Sequence, residues 1–174
     1  MEKLLWLDME MTGLDVEKER IIEVAAIVTD KDLRELASYH SVVFQDQKFL
    51  DAMDDWNKNQ HGKSGLIEKI PHAPKSEIVE NEICAFVDKH FTEPAILAGN
   101  SIGQDRKFID RYWIKFAEKL HYRMLDVTAW KMIMESRYNV VFKKSETHRA
   151  LDDIKESIAE LQCFYDFIDG KQTQ

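Results

Sequence analysis

The chain has 174 residues, of which 44% are apolar and 32% charged, with only 6 Gly and 3 Pro. This suits one domain over residues 1–174 with a real core and excludes collagen-like or low-complexity sequence. Acidic side chains outnumber basic ones by 32 to 24, a net charge of −8, so the chain lacks the basic surface with which proteins grip a long nucleic-acid track.

The first 45 residues read as strands. Leu4 to Glu10 is apolar and ends in acids, Ile21 to Thr29 is rich in Ile and Val, and Leu36 to Phe44 alternates loosely. Thr12-Gly13-Leu14-Asp15 and Thr29-Asp30-Lys31-Asp32 are turn signals, and such short connections favour antiparallel pairing. After Gln45 the texture becomes helical. Ser76 to Phe91 carries Val79, Ile83, Phe86, Val87 and His90 at helical spacing, and Ala95 to Ala98 reads as a buried strand. Asn100 or Ser101 is expected to cap a helix running to about Leu120. Tyr122 to Leu125 suggests another short strand, followed by a helix to about Arg137. Leu151, Ile154, Ile158, Leu161, Tyr165 and Ile168 mark the last helix. A meander followed by alternating helix and strand predicts an α/β fold, a mixed five-stranded sheet flanked by helices.

Cys84 and Cys163 lie far apart without metal-type spacing, which argues against a disulfide scaffold or a Cys-based zinc site and for a reducing, cytoplasmic setting. Charge enters the N-terminal segment too early for a signal peptide, and the longest apolar run, Val24 to Val28, is far too short to span a membrane.

Three places carry acids in suggestive settings. Asp8 and Glu10 end the first strand, where side chains two apart share a face about 7 Å apart and can hold divalent cations between them. Asp105 falls in the first turn of a helix, where an acid also complements the helix dipole. His148-Arg149-Ala150-Leu151-Asp152-Asp153 opens the last helix. At about 100° per residue, Asp153 lies about 110° from the centre of the apolar stripe and Asp152 about 150° from it. Asp153 can therefore reach a cleft beside the core, whereas Asp152 faces solvent. Gly62-Lys63-Ser64 looks like the end of a phosphate-binding P-loop, but the required earlier glycine is replaced by Asn57.

Together, Leu7-Asp8-Met9-Glu10-Met11-Thr12-Gly13-Leu14, then Gly99-Asn100-Ser101-Ile102-Gly103-Gln104-Asp105, then His148 with Asp153 resemble the three motifs of the DEDDh family of 3′-to-5′ exonucleases. Within it the chain is similar to the oligoribonucleases. Further matches are Met53-Asp54-Asp55-Trp56-Asn57, His61-Gly62-Lys63-Ser64-Gly65-Leu66, and His121-Tyr122-Arg123 with Leu125-Asp126-Val127. The resemblance runs from Leu4 to Tyr165. It implies a ribonuclease-H-like exonuclease fold, a homodimer, and cleavage of short RNA from the 3′ end to 5′-mononucleotides, dinucleotides above all.

The same resemblance gives metal-binding roles, for two Mg2+ or Mn2+ ions, to Asp8, Glu10, Asp105 and Asp153, and the general base to His148. It makes Leu14 a wedge between two bases and places Trp56 and His61 around the substrate. Ser101, Arg123 and Thr128 would hold a 5′-phosphate, and Tyr122 would reach the partner subunit's site. Two features depart from the family pattern: Thr128-Ala129 stands where Ser-Thr is common, and 137–144 is short. Two other readings use the same residues. One is a DNA-directed, proofreading-type relative, and the other is a non-catalytic module that keeps the exonuclease fold for binding.

Overall fold

The computed structural model describes residues 2–143 and 150–171. Three strands open the chain: β1 (Lys3–Met11), β2 (Ile21–Asp30) and β3 (Glu35–Val42). Three short helices follow, α1 (Gln47–Ala52), α2 (Asp55–Lys63) and α3 (Leu66–Lys69), the last running into a 3-10 turn at Ile70–His72. Then come α4 (Ser76–His90), β4 (Ala95–Gly99), α5 (Gly103–Tyr112), α6 (Ile114–Ala117), β5 (Leu120–Asp126), α7 (Val127–Tyr138) and α8 (Ala150–Ile168).

The five strands form one mixed sheet in the order β3-β2-β1-β4-β5. β1 and β3 each run antiparallel to β2, as their short connections require, while β4 is parallel to both β1 and β5. Parallel neighbours need a crossover long enough to hold a helix; α4 precedes β4, and α5 and α6 lie between β4 and β5.

The two-residue period of β1 sends its side chains into two layers. Leu5, Leu7 and Met9 join Val24, Ala26 and Val28 under α4 and α5, where Val79, Ile83 and Phe108 complete a buried core. Leu4 and Trp6 point the other way and pack with Ala25 and Ile27 against Ile154, Leu161 and Phe164 of α8. Asp8 and Glu10 continue that second row. The buried face beneath α8 therefore ends in two carboxylates.

The helix expected from Asn100 or Ser101 to about Leu120 is shorter than its pattern. It begins at Gly103, stops at Tyr112, and Leu120 already belongs to β5. Trp113 causes the break: with φ −127° and ψ 67° its backbone leaves the helix. Its indole is thereby fully buried and donates to Ser76 Oγ at 2.8 Å. Burying so large an apolar ring outweighs one interrupted helical turn. Neither Asn100 nor Ser101 caps α5, which starts after Ile102 without a side-chain cap. Among the described residues, no helix is long and apolar enough to cross a membrane.

Candidate active site

The acids converge from three elements. Asp8, Glu10 and Asp153 are half-buried, and one carboxylate oxygen from each lies within 4.8 Å of the others. α8 brings Asp153 there because Ile154 and Leu161, on the neighbouring flank of the same helix, are anchored in the core beside β1. Asp152 lies outside this trio; it is half-exposed and lines a shallow cavity beside Glu10 and Glu23.

Asp105 approaches from the first turn of α5 and is only 6% exposed. Its Oδ1 accepts the Met9 N–H at 3.0 Å, so the acid is fastened to the main chain between Asp8 and Glu10. Gly99, at the end of β4, permits this closeness: a Cβ there would sit 2.8 Å from the Leu7 carbonyl oxygen.

Packing buried acids together raises their proton affinity. Burial, followed by the charges of Asp105, Glu10 and Asp153, holds the Asp8 carboxyl well above its usual range. Glu10 is pushed up to about 7, first by burial and then by Glu23 and Asp153. Asp105 also reaches about 7 through burial, although backbone N–H groups, including that of Met9, pull it down. A set made only of crowded carboxylates fits a hard divalent cation, whose charge removes this repulsion.

His61 is 3% exposed and sits beside the acids. Its Nε2–H donates to the Met11 carbonyl at 3.0 Å, leaving Nδ1 4.0 Å from Glu10 Oε2. Burial lowers its pKa below the usual imidazole value. A neutral ring is therefore wedged against a metal-ligand candidate.

A second group of expected site residues, the rim, is exposed. Leu14, Trp56 and Tyr122 are 75%, 70% and 73% exposed. Large apolar side chains left in solvent are suited to contact with a ligand or partner. The loop carrying Leu14 is braced from behind. Gln104 Nε2 donates to the Leu14 carbonyl at 2.8 Å, and the Tyr112 hydroxyl donates to that of Val16 at 2.6 Å. Trp56 belongs to α2, whose N-terminus is capped by Asp54 accepting from the Asn57 N–H at 2.7 Å. The exposed Arg123 places its guanidinium 5.0 Å from the centre of the Tyr122 ring.

Ser101 and Thr128 form a separate polar corner. Ser101 has φ +51°, an unusual left-handed geometry for a side-chain-bearing residue. Its N–H donates to Asp126 Oδ1 and Thr128 Oγ1, both at 3.0 Å, and the two hydroxyl oxygens are 3.2 Å apart. Asp126 also caps α7 by accepting from the Thr128 N–H at 2.9 Å. His148, the expected general base, lies outside the described residues.

The structure thus gathers Asp8, Glu10, Asp105, Asp153 and His61 at one centre. Leu14, Trp56, Tyr122 and Arg123 are the exposed rim residues, and Ser101 and Thr128 form the polar corner. Asp126 and Gln104 stand in the matching motifs without an assigned role, and Glu23 was not singled out by sequence. Only Asp126 had a legible signal, an aspartate directly before a helix.

The RNase_T exonuclease family model matches residues 5–161. The oligoribonuclease of Chromobacterium violaceum is 47% identical over 167 residues, covering 92% of each chain. The mitochondrial oligoribonuclease of Homo sapiens is 43% identical over 171 residues, covering 94% of this chain and 72% of that one. Among solved structures, exonuclease I from Methylocaldum szegediense superposes with a TM-score of 0.69 over 98% of this chain at 14% identity. This chain spans 43% of that protein's length, and at such low identity the likeness establishes the ribonuclease-H-like fold alone.

Proposed function

The chain belongs to the oligoribonuclease family of exonucleases, and we propose that it removes nucleotides from the 3′ end of short RNAs, dinucleotides above all, to give 5′-mononucleotides. Residues 1–174 act as one exonuclease domain. The observation that carries this reading is the convergence of Asp8, Glu10 and Asp153 beside the clamped Asp105.

Asp8, Glu10, Asp105 and Asp153 would hold two divalent cations, Mg2+ or Mn2+, whose chemistry is to activate water and neutralise charge on the departing 3′-oxygen. The Met9 N–H fixes Asp105, and the register of β1 fixes Asp8 and Glu10. His148 takes the proton of the attacking water at its imidazole, a role resting on family membership; imidazole is the side chain suited to proton transfer at neutral pH. Leu14 enters between the two bases, Trp56 stacks on one of them, and His61 closes the wall beside Glu10. Aromatic faces accept any base, so sequence preference is weak. Ser101, Thr128 and Arg123 hold the 5′-phosphate and so bound the substrate's length.

The active form is a homodimer in which Tyr122 of each subunit completes the other's site. An exposed apolar groove of about 500 Å³ supports the pairing of two copies, running along α7 and the end of α8 past Trp130, Ile133, Tyr138, Phe167 and Ile168. The free thiols Cys84 and Cys163 fit a reducing compartment, and we place the protein in the cytoplasm.

The deciding experiment gives the protein labelled 5′-phosphorylated RNAs of two to seven residues, and a two-residue DNA, with Mg2+ or with EDTA. The expected result is metal-dependent release of mononucleotide, fastest from the RNA dinucleotide. A rate that is flat or rises with length would falsify the limit set by the 5′-phosphate contacts and indicate a general exonuclease. Preference for the DNA would indicate a proofreading-type enzyme, and no product a binding module.

A further inference from the structure

The buried row of α8 is apolar except at two positions. Ile154, Leu161 and Phe164 pack on the sheet, yet Ser157 is 5% exposed and Glu160 fully buried among them. A buried carboxyl is costly without a partner of matching polarity. One such partner is Asn100, the first residue after β4. Its Nδ2 donates to Ser157 Oγ at 2.7 Å and to Glu160 Oε2 at 3.3 Å.

The direction of these bonds is determined. Ser157 Oγ–H donates to the Asp153 carbonyl at 2.9 Å, so only a lone pair remains to receive Asn100. The Asn100 amide nitrogen must therefore face α8, and its oxygen must face away. That oxygen accepts from Thr128 Oγ1 at 3.4 Å. One side chain thus reaches the Asp153 main chain through Ser157 and the Ser101–Thr128 corner through Thr128. Asp153, Ser157 and Glu160 lie at spacings of four and three, on one flank of the helix.

We propose that Asn100, supported by Ser157 and Glu160, is a positioning residue that holds the 5′-phosphate corner in register with the metal-ligand helix; this rests on the phosphate role given above to Ser101 and Thr128. The left-handed Ser101 is strained and persists only where its surroundings brace it. Asp126 braces it from α7, and Asn100 braces it from α8 by way of Thr128. With the Thr128 proton held on Asn100 Oδ1, the Thr128 oxygen is left to accept from the Ser101 N–H, and the Ser101 hydroxyl proton is the one turned to a phosphate oxygen. Seating a 5′-phosphate and seating Asp153 are in this way parts of one arrangement.

The test compares 5′-phosphorylated and unphosphorylated diribonucleotides on wild type, Asn100→Ala, Ser157→Ala and Ser157→Thr, with Mn2+ affinity of the substrate-free protein measured alongside. Wild type should prefer the phosphorylated substrate. Asn100→Ala should raise its KM about tenfold, the effect of one lost hydrogen bond of about 1.4 kcal/mol. The KM for the unphosphorylated substrate should barely change, so that the preference collapses. Ser157→Ala should weaken Mn2+ binding, whereas Ser157→Thr, which keeps the hydroxyl, should restore it. A purely structural role would lower thermal stability and reduce turnover of both substrates equally. That outcome, or an unchanged preference in Asn100→Ala, overturns the proposal. Should Asn100→Ala fail to fold, the Ser157 pair decides: equal Mn2+ affinity in its Ala and Thr variants overturns the coupling. A wild type indifferent to the 5′-phosphate would overturn the phosphate corner itself and this inference with it.

Discussion

Gln104 and Asp105 are consecutive residues of α5, and each secures a different region of the site. Asp105 is 6% exposed, and its carboxylate is clamped by the Met9 N–H. Gln104 holds only the carbonyl of Leu14, whose side chain is 75% exposed. The centre is thus made of groups fixed by core packing and strand register, whereas the rim is made of side chains presented on braced loops and helix surfaces. Chemistry that tolerates little displacement belongs to the first region, and contact with a small, variable substrate belongs to the second.

If that division holds, the largest losses come from the centre. Asp8→Ala, Glu10→Ala, Asp105→Ala and Asp153→Ala should each lower kcat about 10³-fold or more, since a metal site contributes several kcal/mol to the transition state. EDTA should do the same, and Mg2+ or Mn2+ should reverse it. Asp152→Ala is the internal control and should stay active; the opposite pattern at 152 and 153 would sink the helix-phase assignment. His148→Ala should cost about 10²–10⁴-fold in rate, the range for a general base. Its Mn2+ affinity should remain, because it is not a proposed ligand; loss of bound metal would contradict its role.

Rim substitutions should be milder and should leave metal binding alone. Trp56→Ala and Tyr122→Ala are expected to cost roughly 1–3 kcal/mol in kcat/KM, the usual worth of a base-stacking side chain. Mixing Tyr122→Ala with Asp8→Ala subunits should recover part of the activity, because one hybrid site would be intact. No recovery despite demonstrated subunit exchange would remove the shared site from the scheme.

The centre was also the more legible region. Alternation in β1 and the stripe on α8 are long-range patterns imposed by burial, and they put Asp8, Glu10 and Asp153 on facing surfaces. The rim rests on residues whose settings leave no periodic trace. Trp56 of the rim, and with it His61 of the centre, lies on α2, Asp-Trp-Asn-Lys-Asn-Gln-His-Gly-Lys, which has no apolar stripe and is stopped by Gly65 at φ +70°. Only the family match assigned them a role. The end of α5 was misread because a buried Trp113 looks the same in sequence whether it continues a helix or breaks it. The fate of the Asn100 side chain was hidden for a similar reason: a cap and a buried bridge to α8 call for the same residue type.

The smallest expected effect concerns stability, and it separates centre from rim without any substrate. Glu10 and Asp105 are pushed up to about 7 from ordinary values of 4.5 and 3.8, and Asp8 is raised as well. Between those ordinary values and pH 7 the folded, metal-free protein keeps protons that the unfolded chain has released. The stability these groups contribute is therefore complete below about pH 4 and is lost as the pH rises through 7. A divalent cation bound by the folded state takes over from those protons. The Tm in EDTA should thus fall between pH 5 and pH 8, and the increment given by Mg2+ should grow over the same interval. Asp105→Asn keeps an oxygen for the Met9 N–H but carries no charge. It should match wild type near pH 4 and melt higher than wild type in EDTA at pH 8, by roughly 2–4 °C for each kcal/mol of repulsion relieved in a chain of this size. Replacing Trp56 on the rim should leave this pH slope unchanged. An EDTA melting curve that is level from pH 5 to pH 8, and unaltered by Asp105→Asn, would mean that the four acids are not in mutual conflict and that the site has no electrostatic need of a cation.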